Sequence, residues 1–384
     1  MTRGAGPLAG LRVVEIAGIG PAPFCGMLLA DLGADVVIVD RTVPNGETID
    51  LGPAAITNRG KRSIALDLKS PEGVETVLNL IERADILIEG MRPGVMERLG
   101  LGPDVCRQRN PALVYGRMTG WGQDGPLAQA AGHDLNYIGL SGALWYSGQP
   151  GQPPLAPPSL VGDIGGGAMY LAVGVLAAVM RARATGEGQV VDAAIVDGSA
   201  HLTSLLLGLR AGGAMVTERG RSGLDGAFWY STYRCADGNF ITLGAVEPKF
   251  YHLLREKLGL LDDPAFDEQN DVEGWPALRG RFERLFATRS RAEWCDLLEG
   301  TDACFAPALT PEEAAAHPHM AARGIYQERN GVLQAAPAPR FSDTPATDIG
   351  AVPVRGGDLA AVLADWLGDS SAPAREKADV AAAG

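Results

Sequence analysis

Only five histidines occur in these 384 residues, and one of them stands where a base could work. His133 sits between Gly132 and Asp134 in AGHDLNYIGLSG, directly ahead of an apolar run rich in small residues. An imidazole changes charge near neutral pH, so it can take and return a proton under ordinary conditions. The same position also suits a histidine that caps or packs at a helix start, and both readings stand at this point. A second concentration of chemistry is basic. NRGKRS packs Arg59, Lys61 and Arg62 together, and MRPGVMERLGLGP adds Arg92 and Arg98. Guanidinium groups bind phosphates bidentately, so a cluster between strands could hold the phosphates of a nucleotide-bearing ligand. A solvated charged loop is the alternative.

The elements around these residues alternate. LRVVEI (11–16) is a short apolar strand, CGMLLADLG (25–33) a helix ending at glycine, and ADVVIVD (34–40) a second strand. SIALDL, DILIEG and ALVYGRMTG continue the strands, with SPEGVETVLNLIERA as a helix opened by Ser-Pro. Such alternation predicts an α/β fold with a parallel sheet and helices on its faces. Gly18-x-Gly20 follows the first strand, but Pro23 stands where the dinucleotide fingerprint has its third glycine. Asp40 sits where a ribose-binding acid would sit, yet Arg41 follows it. A Rossmann-like sheet used for a ligand other than a nicotinamide dinucleotide is the better reading.

The apolar stretch GGGAMYLAVGVLAAVM (165–180) falls short of the roughly 20 residues that span a bilayer and reads as a buried core helix. From about residue 226 the character changes. WYSTYRCADGNFITLGAV is two β-rich runs around Asp237-Gly238, a hairpin signal, and amphipathic helices follow. This predicts a smaller α+β domain. AAPAPRFSDTP (335–345) marks an exit linker, and GGDLAAVLADWLG a final helix.

Composition excludes some classes. A net charge of -13 argues against nucleic acid as a general partner, because phosphate binding needs a basic surface. Any anionic ligand then needs a local basic pocket. Cys25, Cys106, Cys235, Cys295 and Cys304 show no metal-ligand spacing and read as reduced thiols of a cytoplasmic protein. His317 and His319 flank a proline and read as a surface turn; His201 and His252 read as helix residues. No metal is indicated, and no secretory signal opens the chain.

Taken in order, PLAGLRVVEIAGIGPAPFCGMLLADLGADVVIVDR, NRGKRSIALDLK, LIEGMRPGVMERLGLGP, GRMTGWGQDGPLAQAAGHDLNYIGLSG, LVGDIGGG, GEGQVVDAAIVDGS, LGAVEPKFY and PAPRFSDTP resemble the class III CoA-transferase superfamily. Within it they are most similar to the α-methylacyl-CoA racemase branch. The resemblance runs from about residue 8 to about residue 367. It implies an interlocked homodimer, each active site lying between the large domain of one chain and the small domain of the other. On this basis residues 1–200 and 335–368 form a large CoA-binding domain and 226–325 a small one. Residues 201–225 become a linker helix region, 326–334 a return linker, and 369–384 a mobile tail.

The resemblance also implies roles. His133 and Asp163 match the two bases that flank the α-carbon of an acyl-CoA, and Glu247 matches a glutamate that orients the histidine. In the CoA-transferases the aspartate position supplies a nucleophile and the histidine is generally absent, so Asp163 alone is ambiguous and His133 favours the racemase. A CoA-transferase with Asp163 as nucleophile is the alternative. The backbone N–H of Asp134, at a helix start, is the candidate donor to an enolate oxygen. Arg41, Arg59, Lys61, Arg62, Arg92 and Arg98 are the candidate CoA-holding cations. The implied substrate is a 2-methyl-branched acyl-CoA, with no cofactor beyond the CoA it carries. Trp145 and Tyr146 are candidate pocket walls.

Overall fold

The computed structural model describes residues 6–43, 51–344 and 350–368; the tail expected at 369–384 lies outside them. Along the chain run β1 (Arg12–Ile16), α1 (Pro21–Asp31), β2 (Asp35–Asp40), β3 (Arg62–Ala65), α2 (Pro71–Ile81), β4 (Ile86–Glu89), α3 (Val95–Arg98), α4 (Pro103–Arg109) and β5 (Val114–Thr119). Then come α5 (Asp134–Ser141), a π-helical segment (Leu160–Ala168), α6 (Met169–Thr185), β6 (Val190–Ala194), α7 (Ile195–Leu202) and α8 (Ser204–Ala211). The remainder is β7 (Tyr230–Arg234), β8 (Phe240–Gly244), α9 (Pro248–Leu258), α10 (Trp275–Phe286), α11 (Arg291–Leu298), β9 (Phe305–Ala308), α12 (Pro311–Ala316), α13 (Pro318–Ala322), β10 (Tyr326–Arg329), β11 (Val332–Ala335) and α14 (Leu359–Leu367).

The chain divides into two compact units. Of the described residues, the first comprises 6–43, 51–131, 163–195, 337–344 and 350–368; the second comprises 132–162 and 196–336. Residues 132–162, within the span expected for the large domain, thus group with the second unit.

The first unit is a six-stranded sheet in the order β3-β2-β1-β4-β5-β6 with every pair parallel. This is a doubly wound α/β arrangement, and its order reverses between β1 and β4. The strands read as near-continuous apolar runs because both faces are covered. On one face Val14, Val37, Leu87, Val77 and Leu80 form a core that the C-terminal helix completes with Val362 and Trp366. The indole of Trp366 donates to Asp35 Oδ2 at 2.8 Å, anchoring α14 to the start of β2.

On β5 and β6 lies α6, drawn close by two glycines. A Cβ on Gly116 would stand 2.9 Å from Val175 Cγ1, and one on Gly174 would stand 2.7 Å from Val191 Cγ1. The span Leu160–Thr185 is long and apolar enough to cross a membrane by length and composition. Here Leu171, Val175, Ala178 and Val179 bury one face, while Met169, Val173, Ala177 and Met180 leave the opposite face apolar and exposed. The core-helix expectation therefore holds for half of its circumference.

The second unit has its own aromatic core. Phe228, Tyr233, Phe282, Phe286 and Trp294 are buried together, with Phe228 and Phe282 edge to face at 5.0 Å and Phe286 and Trp294 at 4.9 Å. Each such side chain contributes about 1.5–3 kcal/mol by leaving water, enough for this core to hold the surrounding elements. β7 and β8 form the hairpin predicted at Asp237-Gly238, and β9 adds an antiparallel third strand that the sequence reading did not include. The span expected as a return linker forms the antiparallel pair β10–β11. Its turn is Asn330-Gly331, both with positive φ, the pattern of a tight hairpin.

Beneath the switch between strands sits a buried ion pair. Lys61 Nζ donates to Glu15 Oε1 at 2.9 Å and Oε2 at 2.8 Å, and to the Pro23 carbonyl at 2.9 Å, with both charged side chains sealed from water. Burial pushes the Glu15 carboxyl up and the Lys61 ammonium down, each partner opposing the shift of the other. Gly26 on α1 makes room, since a Cβ there would stand 1.7 Å from Glu15 Oε2. Lys61→Met should leave a stranded carboxylate and cost about 3–5 kcal/mol in urea unfolding, whereas adding Glu15→Leu should recover most of that loss. Wild-type stability in Lys61→Met alone would contradict this role.

Candidate active site

α5 begins at Asp134, and His133 is its N-cap in extended geometry. The cap is held by its own backbone: His133 N–H donates to Asn136 Oδ1 at 3.0 Å, and Asn136 N–H donates to the His133 carbonyl at 2.8 Å. Tyr137 hydroxyl donates to the Gly132 carbonyl, fixing the approach to the helix. Gly142, with φ of 83°, ends it. The His133 residue is exposed, while Asp134 is only 8% exposed. His133 thus occupies a helix cap, as one of its two readings has it, and the residue is exposed.

Asp163 lies in the π-helical segment, a rare geometry that often marks functional positions. The triple glycine after it permits close packing: a Cβ on Gly167 would stand 3.1 Å from Ile195, 3.2 Å from Pro21 and 3.4 Å from Met118. Gly162, on the other side of Asp163, is a fourth glycine with a contact of its own. Its N–H donates to Asp134 Oδ1 at 2.8 Å, and a Cβ there would stand 2.4 Å from that oxygen.

Glu247 is the N-cap of α9, exposed, in the turn between β8 and the proline that opens the helix. It and His133 make no hydrogen bond with one another in the chain. Close by, Cys304 takes a left-handed backbone with φ of 53°, and its carbonyl accepts from Gly244 N–H at 2.9 Å. Burial, then the charge of Glu247, pushes the Cys304 thiol up. Cys304 lines a cleft of about 650 Å³ with Tyr146, Tyr230, Ser231, Thr242 and Arg279, placing Tyr146 in a pocket wall. The Tyr146 hydroxyl is buried there without a hydrogen-bond partner. Trp145 is tied down instead, donating to the Thr217 carbonyl at 2.8 Å.

The six candidate CoA-holding cations separate into two groups. Arg59 is buried on Asp31, at 3.1 Å from Nε to Oδ1 and 2.5 Å from Nη2 to Oδ2. Lys61 serves Glu15, and Arg62 pairs with Asp35 and with Asp365, the latter at 2.9 Å. These three charges are met inside the protein. Arg41, Arg92 and Arg98 are exposed and make no ion pair among the described residues. The sequence could not separate the groups, because their carboxylate partners lie 27 to 303 positions away.

A family model for CoA-transferase family III matches residues 8–359. The chain belongs to that family. It is 44% identical over 342 residues to the Homo sapiens protein named alpha-methylacyl-CoA racemase, covering 88% of this chain and 87% of that one. The Mus musculus protein of the same name is also 44% identical, over 341 residues, with the same two coverages. Among solved structures, a CaiB/BaiF family protein from Brucella suis superposes with a TM-score of 0.80 at 27% identity, covering 94% of this chain and all of that one. In this chain His133, Asp163 and Glu247 stand on an N-cap, in a π-helical segment and on an N-cap.

At the C-terminal end of β4, Glu89 accepts from Met91 N–H at 2.7 Å and from Arg117 Nε at 3.0 Å. Burial still pushes its carboxyl up to about 7 from 4.5, against both of those partners. The folded protein therefore holds this proton more tightly than the unfolded chain. The contribution is full below about 4.5 and lost as pH rises through about 7. Urea unfolding of wild type and Glu89→Gln should shift against wild type between about pH 5 and about pH 8. A difference between the two proteins that does not change with pH would refute the assignment.

Proposed function

We propose that this family III protein is an α-methylacyl-CoA racemase, interconverting (R)- and (S)-2-methylacyl-CoA thioesters by 1,1-proton transfer. The observation that carries the reading is the 44% identity, over 88% of the chain, to proteins named for that activity. The presence of a histidine at 133 together with Asp163 supports it. One base removes the proton from the α-carbon, leaving an enolate on the thioester oxygen. The other base delivers a proton to the opposite face, and each ends the turnover in its partner's starting role. A positioned proton transfer of this kind is worth about 10²- to 10⁴-fold in rate.

The enolate needs donors aimed at its oxygen. Asp134 is the first residue of α5, so its N–H stands at the positive end of a helix. One such donor contributes about 2.7–4 kcal/mol to the transition state. A carboxylate at Glu247 hydrogen-bonded to His133 would fix the imidazole tautomer and stabilise the imidazolium. No bond joins the two within a chain, which supports a site completed by Glu247 of a second copy. The exposed apolar face of α6 and exposed Leu205 and Leu207 on α8 support the same interlocked homodimer. Arg41, Arg92 and Arg98 then remain for the CoA phosphates, the substrate's CoA being the sole cofactor. Five free cysteines accord with a cytoplasmic setting.

The test is incubation with each 2-methylacyl-CoA enantiomer in D₂O without an acceptor acid. Both enantiomers should gain α-deuterium and converge on one mixture, and His133→Ala should abolish this. Absence of exchange, with CoA moving only after a carboxylic acid is added, would make the protein a transferase that uses Asp163 as nucleophile. Mixing His133→Ala and Glu247→Ala chains should restore exchange that neither variant has alone; no restoration would place both residues in one chain's site.

A further inference from the structure

We infer that the carboxylate of Asp134 is a positioning residue that clamps the residue before Asp163 to the residue after His133. The inference rests on the racemase reading and adds to it a role for a side chain rather than a backbone amide. A helix of i to i+5 hydrogen bonds leaves its first amides without acceptors in the helix, one more than an α-helix does. The π-helical segment starts at Leu160, so Gly162 N–H is one of these. Asp134 Oδ1 accepts it at 2.8 Å, a charge-assisted bond in a nearly buried place.

Two further features fit a built contact. Gly162 does not adopt a left-handed backbone, so glycine is needed there for space: a Cβ would stand 2.4 Å from Asp134 Oδ1 and 2.9 Å from Ile138 Cγ2. Asp134 is also the acidic residue in the first turn of α5, so one carboxylate lies at the positive ends of two helical segments. Engaged in this way, it serves the helix end that presents the Asp134 N–H. Without the clamp, the π turn can relax toward α geometry, which rotates the residues after Gly162 and misplaces Asp163. A shift of about 1 Å in a catalytic group costs about 10²-fold in rate.

The experiment compares wild type with Asp134→Ala, Asp134→Asn and Gly162→Ala. It measures kcat and KM for α-proton exchange, and amide hydrogen exchange across 160–168. Asp134→Ala should lower kcat by about 10²-fold with little change in KM, and should expose the amides of 160–168 while the sheet stays protected. The asparagine variant keeps an acceptor oxygen and should recover most of the loss. Gly162→Ala should reproduce the alanine phenotype from the other side of the contact. Equal losses in Asp134→Asn and Asp134→Ala, or unchanged protection of 160–168, would overturn the clamp. If Asp134→Ala does not fold, the asparagine and Gly162 variants decide in the same terms. A wild type without exchange activity would remove the racemase reading, while amide protection would still judge the contact by itself.

Discussion

The first unit is organised around a charge that water never reaches. Lys61 spends every strong contact on the sheet's interior, holding Glu15 of β1, the first turn of α1 at Pro23 and, more loosely, Asn58 at 3.4 Å. Two ions removed from water are tolerable only when their geometry is this complete. The consequence reaches α1, where Gly26 must lack a side chain, and Cys25, whose thiol the same burial pushes up. The segment that enters β3 is therefore locked against the strands at the switch point, where a doubly wound sheet receives its ligand.

Other ion pairs on largely buried arginines extend the pattern along the sheet. Arg59 closes on Asp31, Arg62 on Asp35 and Asp365, and Arg117 on Glu89 and Glu97. Four cations of this unit are thus spent internally. Of the six candidate cations, Arg41, Arg92 and Arg98 remain outward.

The second unit is held differently, by an aromatic core, and it carries two of the candidate residues on helix caps. Packed aromatic rings fix β7, β8 and the helices around them; Glu247 caps one of those helices, α9, and His133 caps α5. At both positions the backbone is fixed by the helix start while the residue stays exposed. Asp163 reaches comparable definition by other means, through a π turn whose start is bonded to Asp134 and whose end is pressed among Pro21, Met118 and Ile195.

Much of this was legible in the residue order. Apolar runs of strand length separated by glycine- and proline-marked helices determined the parallel sheet, and Asp237-Gly238 determined the hairpin of the second unit, because these signals are local. A histidine ahead of an apolar helix was visible for the same reason. The Asn330-Gly331 turn is equally local. Tertiary structure alone decided which cations are consumed, since Asp35 and Asp365 meet Arg62 only when distant segments pack. It alone decided that Gly26 and Gly162 are spacers for carboxylates, and that Asp163 sits on a π turn. Those facts depend on what approaches a residue through space, and a linear pattern carries no distance between residues far apart along the chain.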